Sequence, residues 1–165
     1  MKKYFFFLSV LAFVFASCEP EEPQVSPEFG NTYFIVYHAD SLHTHDTLAL
    51  RYIDNENVMD TIIVGDTVRF GLLLNAVYNQ LTSFTIKTDT NFLALSLNLS
   101  SDFKAALDAS SDVEKGSLVF KPGYNAAALG IQYIAKKSGT PKVSLSLSST
   151  SKFSPTDVYF RQPIE

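Results

Sequence analysis

Apolar and polar residues alternate along most of the chain from Tyr33 onward. In the run KVSLSLSS, Val143, Leu145 and Leu147 alternate with serines. Successive side chains of a β-strand point to opposite faces of its sheet, so this period of two predicts strands with one buried face. Runs of the same character predict further strands at TYFIVYHA, TLALRYI, DTVRFGLLL, LTSFTIKT, FLALSLNL, SLVFK, LGIQYIAKK and DVYFRQ.

Turn-forming residues separate these runs, at positions 54–57, 65–66, 122–123 and 138–141. One segment, 100–112, instead predicts a short helix with Ser101 as its N-cap and with Phe103, Ala106 and Leu107 on one face. About eight or nine strands and one short helix predict an all-β chain folded as an antiparallel sandwich.

The stretches 65–89 and 120–149 resemble strands of bacterial immunoglobulin-like domains. The resemblance rests on the alternating pattern and on a Gly-rich turn in the later hairpin. It covers most of residues 30–165 and implies an immunoglobulin-like β-sandwich, which we place at residues 31–165. The chain has a single cysteine and no tryptophan, so it lacks the pair of cysteines and the tryptophan of antibody cores.

The N-terminus has the layout of an export signal, which we place at residues 1–17. Lys2 and Lys3 precede an apolar run of about a dozen residues, shorter than the roughly 20 that a membrane-spanning helix needs. The following F-A-S-C resembles a bacterial lipobox, with Phe in place of the usual Leu. That resemblance implies cleavage before Cys18 and attachment of lipid to the Cys18 thiol. An incidental free cysteine is the alternative.

An acidic and proline-rich segment follows Cys18. Its ten residues EPEEPQVSPE contain four glutamates and three prolines, which predicts an extended tether over residues 18–30. The segment resembles the signal that sends Bacteroidetes lipoproteins to the outer face of the outer membrane. We therefore expect a lipid-anchored protein at the cell surface. The alternative is that the segment is only a generic solvated linker and that the protein faces the periplasm.

The charge of the chain argues against nucleic acid as a partner. Removal of residues 1–17 takes two lysines from the 13 basic residues, which leaves 11 against 17 acidic ones and a net charge of −6. An acidic surface without a basic stripe repels phosphate backbones.

The three histidines lie together in the segment VYHADSLHTHD, at 36–46. His43 and His45 are two residues apart, so on a strand both rings would share a face, and Asp40 or Asp46 could complete a zinc or copper site. A solvated connection between strands explains the same residues and is the interpretation we favour, because such short motifs match often by chance. No other pattern predicts a metal or a cofactor.

A second short pattern, Asp followed by Ser or Thr and an aliphatic residue, occurs four times. It resembles the O-glycosylation motif of exported Bacteroidetes proteins, and the implied acceptors are Ser41, Thr47, Thr61 and Thr67. Ser41 and Thr47 are favoured because they fall in an expected loop. The structural alternative is equally strong, since Asp is common in turns and Thr at the start of strands.

The expected function is non-catalytic. The sequence contains no G-x-S-x-G, P-loop or H-E-x-x-H motif, although a hydrolase built on two carboxylates needs no local motif. Tyr78 and Tyr124, each beside an asparagine in an expected loop, are candidates for a platform that stacks on a sugar. We expect a lipid-anchored binding or assembly module for a protein or glycan partner, with a periplasmic metal-binding protein using His43 and His45 as the alternative.

Overall fold

A computed structural model of the chain describes residues 23–31, 33–40 and 45–165. These residues form twelve β-strands and one helix. The strands are β1 (Glu28–Asn31), β2 (Phe34–Tyr37), β3 (His45–Leu48), β4 (Leu50–Ile53), β5 (Glu56–Met59), β6 (Thr67–Asn75), β7 (Leu81–Thr88), β8 (Leu93–Asn98), β9 (Ser117–Val119), β10 (Ala126–Ala135), β11 (Lys142–Ser149) and β12 (Thr156–Arg161), and the helix is α1 (Ser101–Ala106).

The strands form two sheets. Sheet A has the order β3-β2-β6-β10-β8, and β1 pairs with β6 beyond the end of β2. Sheet B has the order β4-β5-β12-β11-β7-β9. Among the strand pairs of the described residues, β5 with β12 is the one parallel pair, and the others are antiparallel. The predicted all-β sandwich is therefore confirmed, with more strands than the eight or nine expected.

The core lies between the inner faces of the two sheets. The ring of Phe34 in β2 lies 5.7 Å from that of Phe160 in β12, and Phe29 in β1 lies 6.3 Å from Phe84 in β7. The predicted inward residues of β11 are buried, as are the alternating residues of its neighbours: Val68, Phe70, Leu72, Leu74, Leu129, Ile131, Tyr133, Val143, Leu145 and Leu147. Each such side chain contributes about 1.5–3 kcal/mol to folding through burial.

The run TLALRYI, predicted as one strand, crosses from one sheet to the other. Its first part belongs to β3 in sheet A and its second part is β4 in sheet B. Ala49 stands at the crossing, where its N–H donates to the Asp60 carboxylate at 2.8 Å and its carbonyl accepts from the Asp60 N–H at 3.0 Å. This fixed corner, together with the unpredicted strands β1 and β5, accounts for the higher strand count.

The part of the expected tether that the structure describes packs on the sandwich. Glu28, Phe29 and Gly30 pair with β6 as part of β1, so the domain begins before residue 31. Further upstream, the Pro23 carbonyl accepts a hydrogen bond from the Asn79 amide at 3.2 Å. Backbone pairing was not expected here, because proline lacks the N–H that strand pairing uses and a proline-rich segment does not have the pattern of a strand. Cys18 and the signal 1–17 lie outside the described residues.

Helix α1 begins one residue earlier than predicted. Its N-cap is Ser100, whose hydroxyl accepts a hydrogen bond from the Phe103 N–H at 3.1 Å, and Ser101 is the first helical residue. Phe103 and Ala106 are buried, which fixes the helix against the sandwich. Within the described ranges, no helix combines the length and the apolar character needed to cross a bilayer.

Candidate functional site

Two glycines face each other in the middle of sheet A. Gly71 in β6 pairs with Gly130 in β10, and Gly130 pairs on its other side with Asn98 in β8. The neighbours Phe70 and Leu72 point into the core, so the glycines lie on the outer face. Because glycine has no side chain, both residues line this face with backbone alone, and the Asn98 side chain lies beside Gly130.

An open groove of about 580 Å³ lies over these glycines, with Leu73 and Ala128 on its sides. A second cavity of about 410 Å³ shares Gly71, Gly130 and Asn98 with it, so the two form one continuous depression. We call it the sheet A groove. Each volume falls in the range typical of small-molecule sites, roughly 300–1,000 Å³. With strands about 4.8 Å apart, the groove runs about 14 Å from the β1/β2 edge to β8.

Aromatic and planar polar side chains border the second half of the sheet A groove. Tyr33 is 79% exposed at the junction of β1 and β2. Arg69 and Gln132 stand side by side on β6 and β10, and the Arg69 Nε donates to the Gln132 Oε1 at 2.7 Å. The Arg69 guanidinium also lies 4.8 Å from the centre of the Tyr37 ring. These contacts hold the polar groups in place, which lowers the entropy lost when a ligand binds.

The chemistry of the groove suits a ligand with both an apolar face and hydroxyl groups. The exposed ring of Tyr33 offers a stacking surface, while the amides of Asn98 and Gln132 offer donors and acceptors to hydroxyls. Floor positions without side chains allow such a ligand to approach the sheet closely.

The predicted tyrosine platform lies elsewhere, at one end of the sandwich. Tyr78 is 62% exposed in the loop between β6 and β7, and Tyr124 is 37% exposed in the loop between β9 and β10. The two loops adjoin, since the Leu81 N–H donates to the Tyr124 carbonyl at 2.7 Å. Asn79, expected to assist Tyr78, is buried and donates to the Pro23 carbonyl instead. Its amide is therefore engaged in holding the N-terminal segment.

The candidate metal ligands are only partly brought together. His43 lies outside the described residues, and Asp40 and His45 are exposed. The Asp46 carboxylate contacts the Nε2 of His38 at 3.1 Å. In residues 23–31, 33–40 and 45–165 no group of three or more His, Cys, Asp or Glu side chains is arranged to hold a metal ion.

His38, which the sequence did not single out, lies between two carboxylates. Its Nε2 contacts Asp46, and its Nδ1 contacts the buried Asp66 at 3.2 Å. Hydrogen bonding to Asp46 and then to Asp66 raises the pKa of His38 above its ordinary value of 6.5. Asp66 also accepts hydrogen bonds from the N–H groups of Ala39 and Ile63. The cluster thus fixes the end of β2 next to the start of β6.

The candidate glycosylation sites occupy different settings. Ser41 lies outside the described residues, whereas Thr47 is exposed within β3 and not in a loop. Thr61 is exposed after β5, and Thr67 is half-buried as the first residue of β6. The preceding aspartates 46, 60 and 66 all bind other side chains or backbone N–H groups. This bonding gives each aspartate a structural role, and glycosylation of the threonines stays a prediction.

Sequence reasoning missed Tyr33, Arg69, Gln132 and the paired glycines. One local signal was present, because an isolated glycine inside a strand pattern often marks a close approach to backbone. FGLLL and LGIQY each contain one. Their alignment across neighbouring strands depends on the register of β6 with β10, which no local pattern supplies.

No protein-family model matches the chain, and no curated protein matches it in sequence. Three solved structures illustrate its structural similarities. A DUF4466 family protein from Parabacteroides merdae matches with 13% identity over 83% of this chain and 44% of that protein, with a TM-score of 0.44. The secreted serine protease VesC from Vibrio cholerae matches with 10% identity over 71% of this chain and 23% of its own, with a TM-score of 0.34.

The third structure is MyfA, the major subunit of Myf fimbriae from Yersinia enterocolitica, in a self-complemented form. It has 9% identity over 72% of this chain and 98% of its own, with a TM-score of 0.35. The present chain spans less than half of the length of the Parabacteroides protein that it matches.

Proposed function

We propose that the protein is a lipid-anchored, non-catalytic module that captures a glycan in the sheet A groove at the surface of the outer membrane. The observation that carries the proposal is the groove itself, with paired glycines on its floor and Tyr33, Arg69 and Gln132 along its border. We also propose that the sandwich is immunoglobulin-like and that it faces the outside of the cell.

The proposed anchor is the lipid on Cys18. The F-A-S-C sequence after a short apolar run supports acylation, and the acidic tether supports export to the cell surface. Each buried CH₂ group contributes roughly 0.8 kcal/mol to membrane binding, and stable attachment needs more than one acyl chain. A diacylated cysteine meets that requirement.

Glycan is the ligand class that the groove chemistry supports. An open groove about 14 Å long accepts an extended chain more readily than a compact molecule. Sugar rings present C–H groups to an aromatic face and hydroxyls to amides, and the groove provides both through Tyr33 and the Asn98 and Gln132 amides. Stacking and hydrogen bonding break no covalent bond, so a glycan held only in these ways is released chemically unaltered, as expected of a capture module.

The test is a glycan array probed with the mature chain, residues 18–165, followed by Tyr33→Ala. We expect binding to a set of extended glycans and its loss in Tyr33→Ala, because the variant removes the exposed ring without touching the core. Tyr78→Ala and Tyr124→Ala are the matched controls, since each removes an exposed ring at the end of the sandwich. If Tyr33→Ala retains glycan binding and either control loses it, the binding site lies in the loops and the proposal is contradicted.

Two further measurements address the anchor and the absence of catalysis. The intact mass of the protein extracted from membranes should equal residues 18–165 plus acyl groups, and Cys18→Ala should release the protein from the membrane fraction. Chromatography of the bound glycan after long incubation should recover it unaltered. An unmodified cysteine would contradict the anchor, and shortened glycan would contradict the non-catalytic role.

A further inference from the structure

The N-terminal segment leaves the sandwich at one defined end. Pro23 is held by the Asn79 amide, in the loop between β6 and β7. The Gln24 side chain accepts a hydrogen bond from the Lys152 N–H at 2.9 Å, in the loop between β11 and β12. The Pro27 carbonyl accepts one from the Thr156 hydroxyl. The chain toward Cys18 is therefore fixed to these loops up to Pro23.

Three loops meet at this end, which we call the tether end: residues 76–80, 120–125 and 150–155. The Thr150 N–H donates to the Gln80 carbonyl, and the Gly123 N–H donates to the Gln80 side chain. The loops thus form one connected surface, with Pro23 and Gln24 beside it.

Three exposed aromatic side chains lie at the tether end. Tyr78 is more than half exposed, Phe153 is 54% exposed, and Tyr124 is exposed beside them in the adjoining loop. Val77, a β-branched residue, adopts a φ of 58°, a conformation that such residues rarely adopt. The backbone is therefore strained at Val77, the residue that precedes the exposed Tyr78. The Lys152 ammonium lies 5.5 Å from the centre of the Phe153 ring.

The reach of the tether limits which part of the sandwich can meet the membrane. Five residue steps separate Cys18 from Pro23, a span of at most about 18 Å. Strand β10 alone has ten residues and is about 33 Å long. An orientation with the opposite end on the bilayer would place Pro23 farther from the membrane than the tether extends. The tether end must stay near the lipid.

We propose that the tether end docks onto the bilayer that holds the acylated Cys18, with Tyr78, Tyr124 and Phe153 in the headgroup region. The inference rests on the acylation in the proposed function. Tyrosine is enriched at the level of the headgroups because its ring is apolar and its hydroxyl remains hydrated. End-on docking leaves the sheet A groove on the side of an upright domain, where an external glycan has access.

Charge contributes little to this docking. Lys121 and Lys152 lie at the tether end, but the sequence between Cys18 and Pro23 also contains three glutamates, Glu19, Glu21 and Glu22. Their opposite charges offset one another, and exposed charges are screened by salt over about 8 Å at physiological ionic strength. The contact is therefore expected on neutral phosphatidylcholine and to persist at high salt.

The experiment measures which surface of the acylated full-length mature protein lies next to lipid. Since acylation consumes the Cys18 thiol, a cysteine introduced elsewhere is the one labelling site. A fluorophore is placed at Asn125→Cys on the tether end, at Ala128→Cys in the groove, or at Val64→Cys beyond β5. The vesicles are phosphatidylcholine with a fraction of lipids that carry a nitroxide quencher on the headgroup.

We expect quenching to be strongest at position 125, weaker at position 128, which is about 10 Å further along β10, and absent at position 64, relative to vesicles without nitroxide. Tyr78→Ser combined with Phe153→Ser should weaken the quenching at position 125 strongly, since the tether alone keeps this end only within about 18 Å of the lipid. Tyr52→Ser, which removes an exposed ring from β4, should leave the quenching unchanged. Unaltered thermal unfolding of the variants shows that the fold is retained, and the Tyr78→Ser and Phe153→Ser single variants are used if the pair unfolds.

Three results would overturn the docking. Equal quenching at positions 125 and 64 would show a freely tumbling domain, and stronger quenching at position 128 would show a domain that lies on its groove. Quenching at position 125 that is unchanged by loss of both rings would show proximity without docking. An intact mass measured on the same sample separates these results from failure of the anchor, because an unmodified Cys18 overturns both proposals, whereas an acylated protein without quenching overturns docking alone.

Discussion

Tyr133 and Gln162 meet in the interior between the two sheets. The Tyr133 hydroxyl donates to the Gln162 Oε1 at 2.6 Å, and both side chains are completely buried. The Gln162 Nε2 in turn donates to the carbonyls of Asp60 and Pro163, each at 3.0 Å. Burial raises the pKa of Tyr133, so its hydroxyl keeps its proton and remains a donor. The pair links β10 of sheet A to the segment after β12 of sheet B.

Tyr133→Phe removes the hydroxyl and keeps the ring, so packing is nearly unchanged while the Gln162 Oε1 is left without a donor. An unpaired buried acceptor costs about 1–3 kcal/mol. We expect the free energy of unfolding in urea to fall by that amount with an unchanged m-value. Tyr52→Phe is the control, since the Tyr52 hydroxyl is exposed to water and its loss should stay within about 0.5 kcal/mol.

Repeating the change in a Gln162→Leu background tests the contribution of the hydrogen bond directly. There the hydroxyl no longer has Gln162 as an acceptor, so Tyr133→Phe should cost less than it does in the parent chain. An equal cost in both backgrounds would show that the hydrogen bond is not the source of the effect. A Tyr133→Phe chain as stable as the parent would refute the assignment altogether.

Two other predictions concern His38 and Gly116. The His38 resonances, followed by NMR, should titrate above pH 6.5, and Asp46→Asn should lower the midpoint. Because the folded-state pKa is raised, the protonated ring adds stability that is complete below about pH 6.5 and is lost as pH rises through the folded pKa; a flat pH dependence of unfolding would contradict this. Gly116→Ala should cost more than about 1 kcal/mol in urea unfolding, because φ is +68° and an added Cβ would lie 2.7 Å from the Ile86 carbonyl oxygen; a neutral variant would contradict it.

Local patterns were sufficient to predict the fold class but not every strand. The alternation in β11 identified Val143, Leu145 and Leu147 as core residues, because a half-buried strand needs only a period of two. The same alternation continues through TLALRYI and gave no indication that the chain changes sheets at Ala49. That change depends on Asp60, which comes later in the sequence and binds Ala49 only in the folded chain.

The candidate site was harder to predict for a related reason. Tyr78 and Tyr124 were recognised as exposed aromatics, since loop residues are usually accessible. The sheet A groove instead arises where Gly71 and Gly130 fall opposite each other, and a shift of one residue in register would replace a glycine with a side chain. Tyr33 became a candidate only because the fold places it beside these glycines.

The most direct test of the account is an NMR titration of the isotope-labelled mature protein with a glycan selected on the array. Ligand in the groove should shift the backbone amide signals of Gly71 and Gly130 and the side-chain amide of Asn98, in a saturable manner, while the loop signals of residues 76–80 and 120–125 stay in place. Shifts confined to those loops, or no shift with any glycan, would contradict the assignment of the sheet A groove as the site of capture.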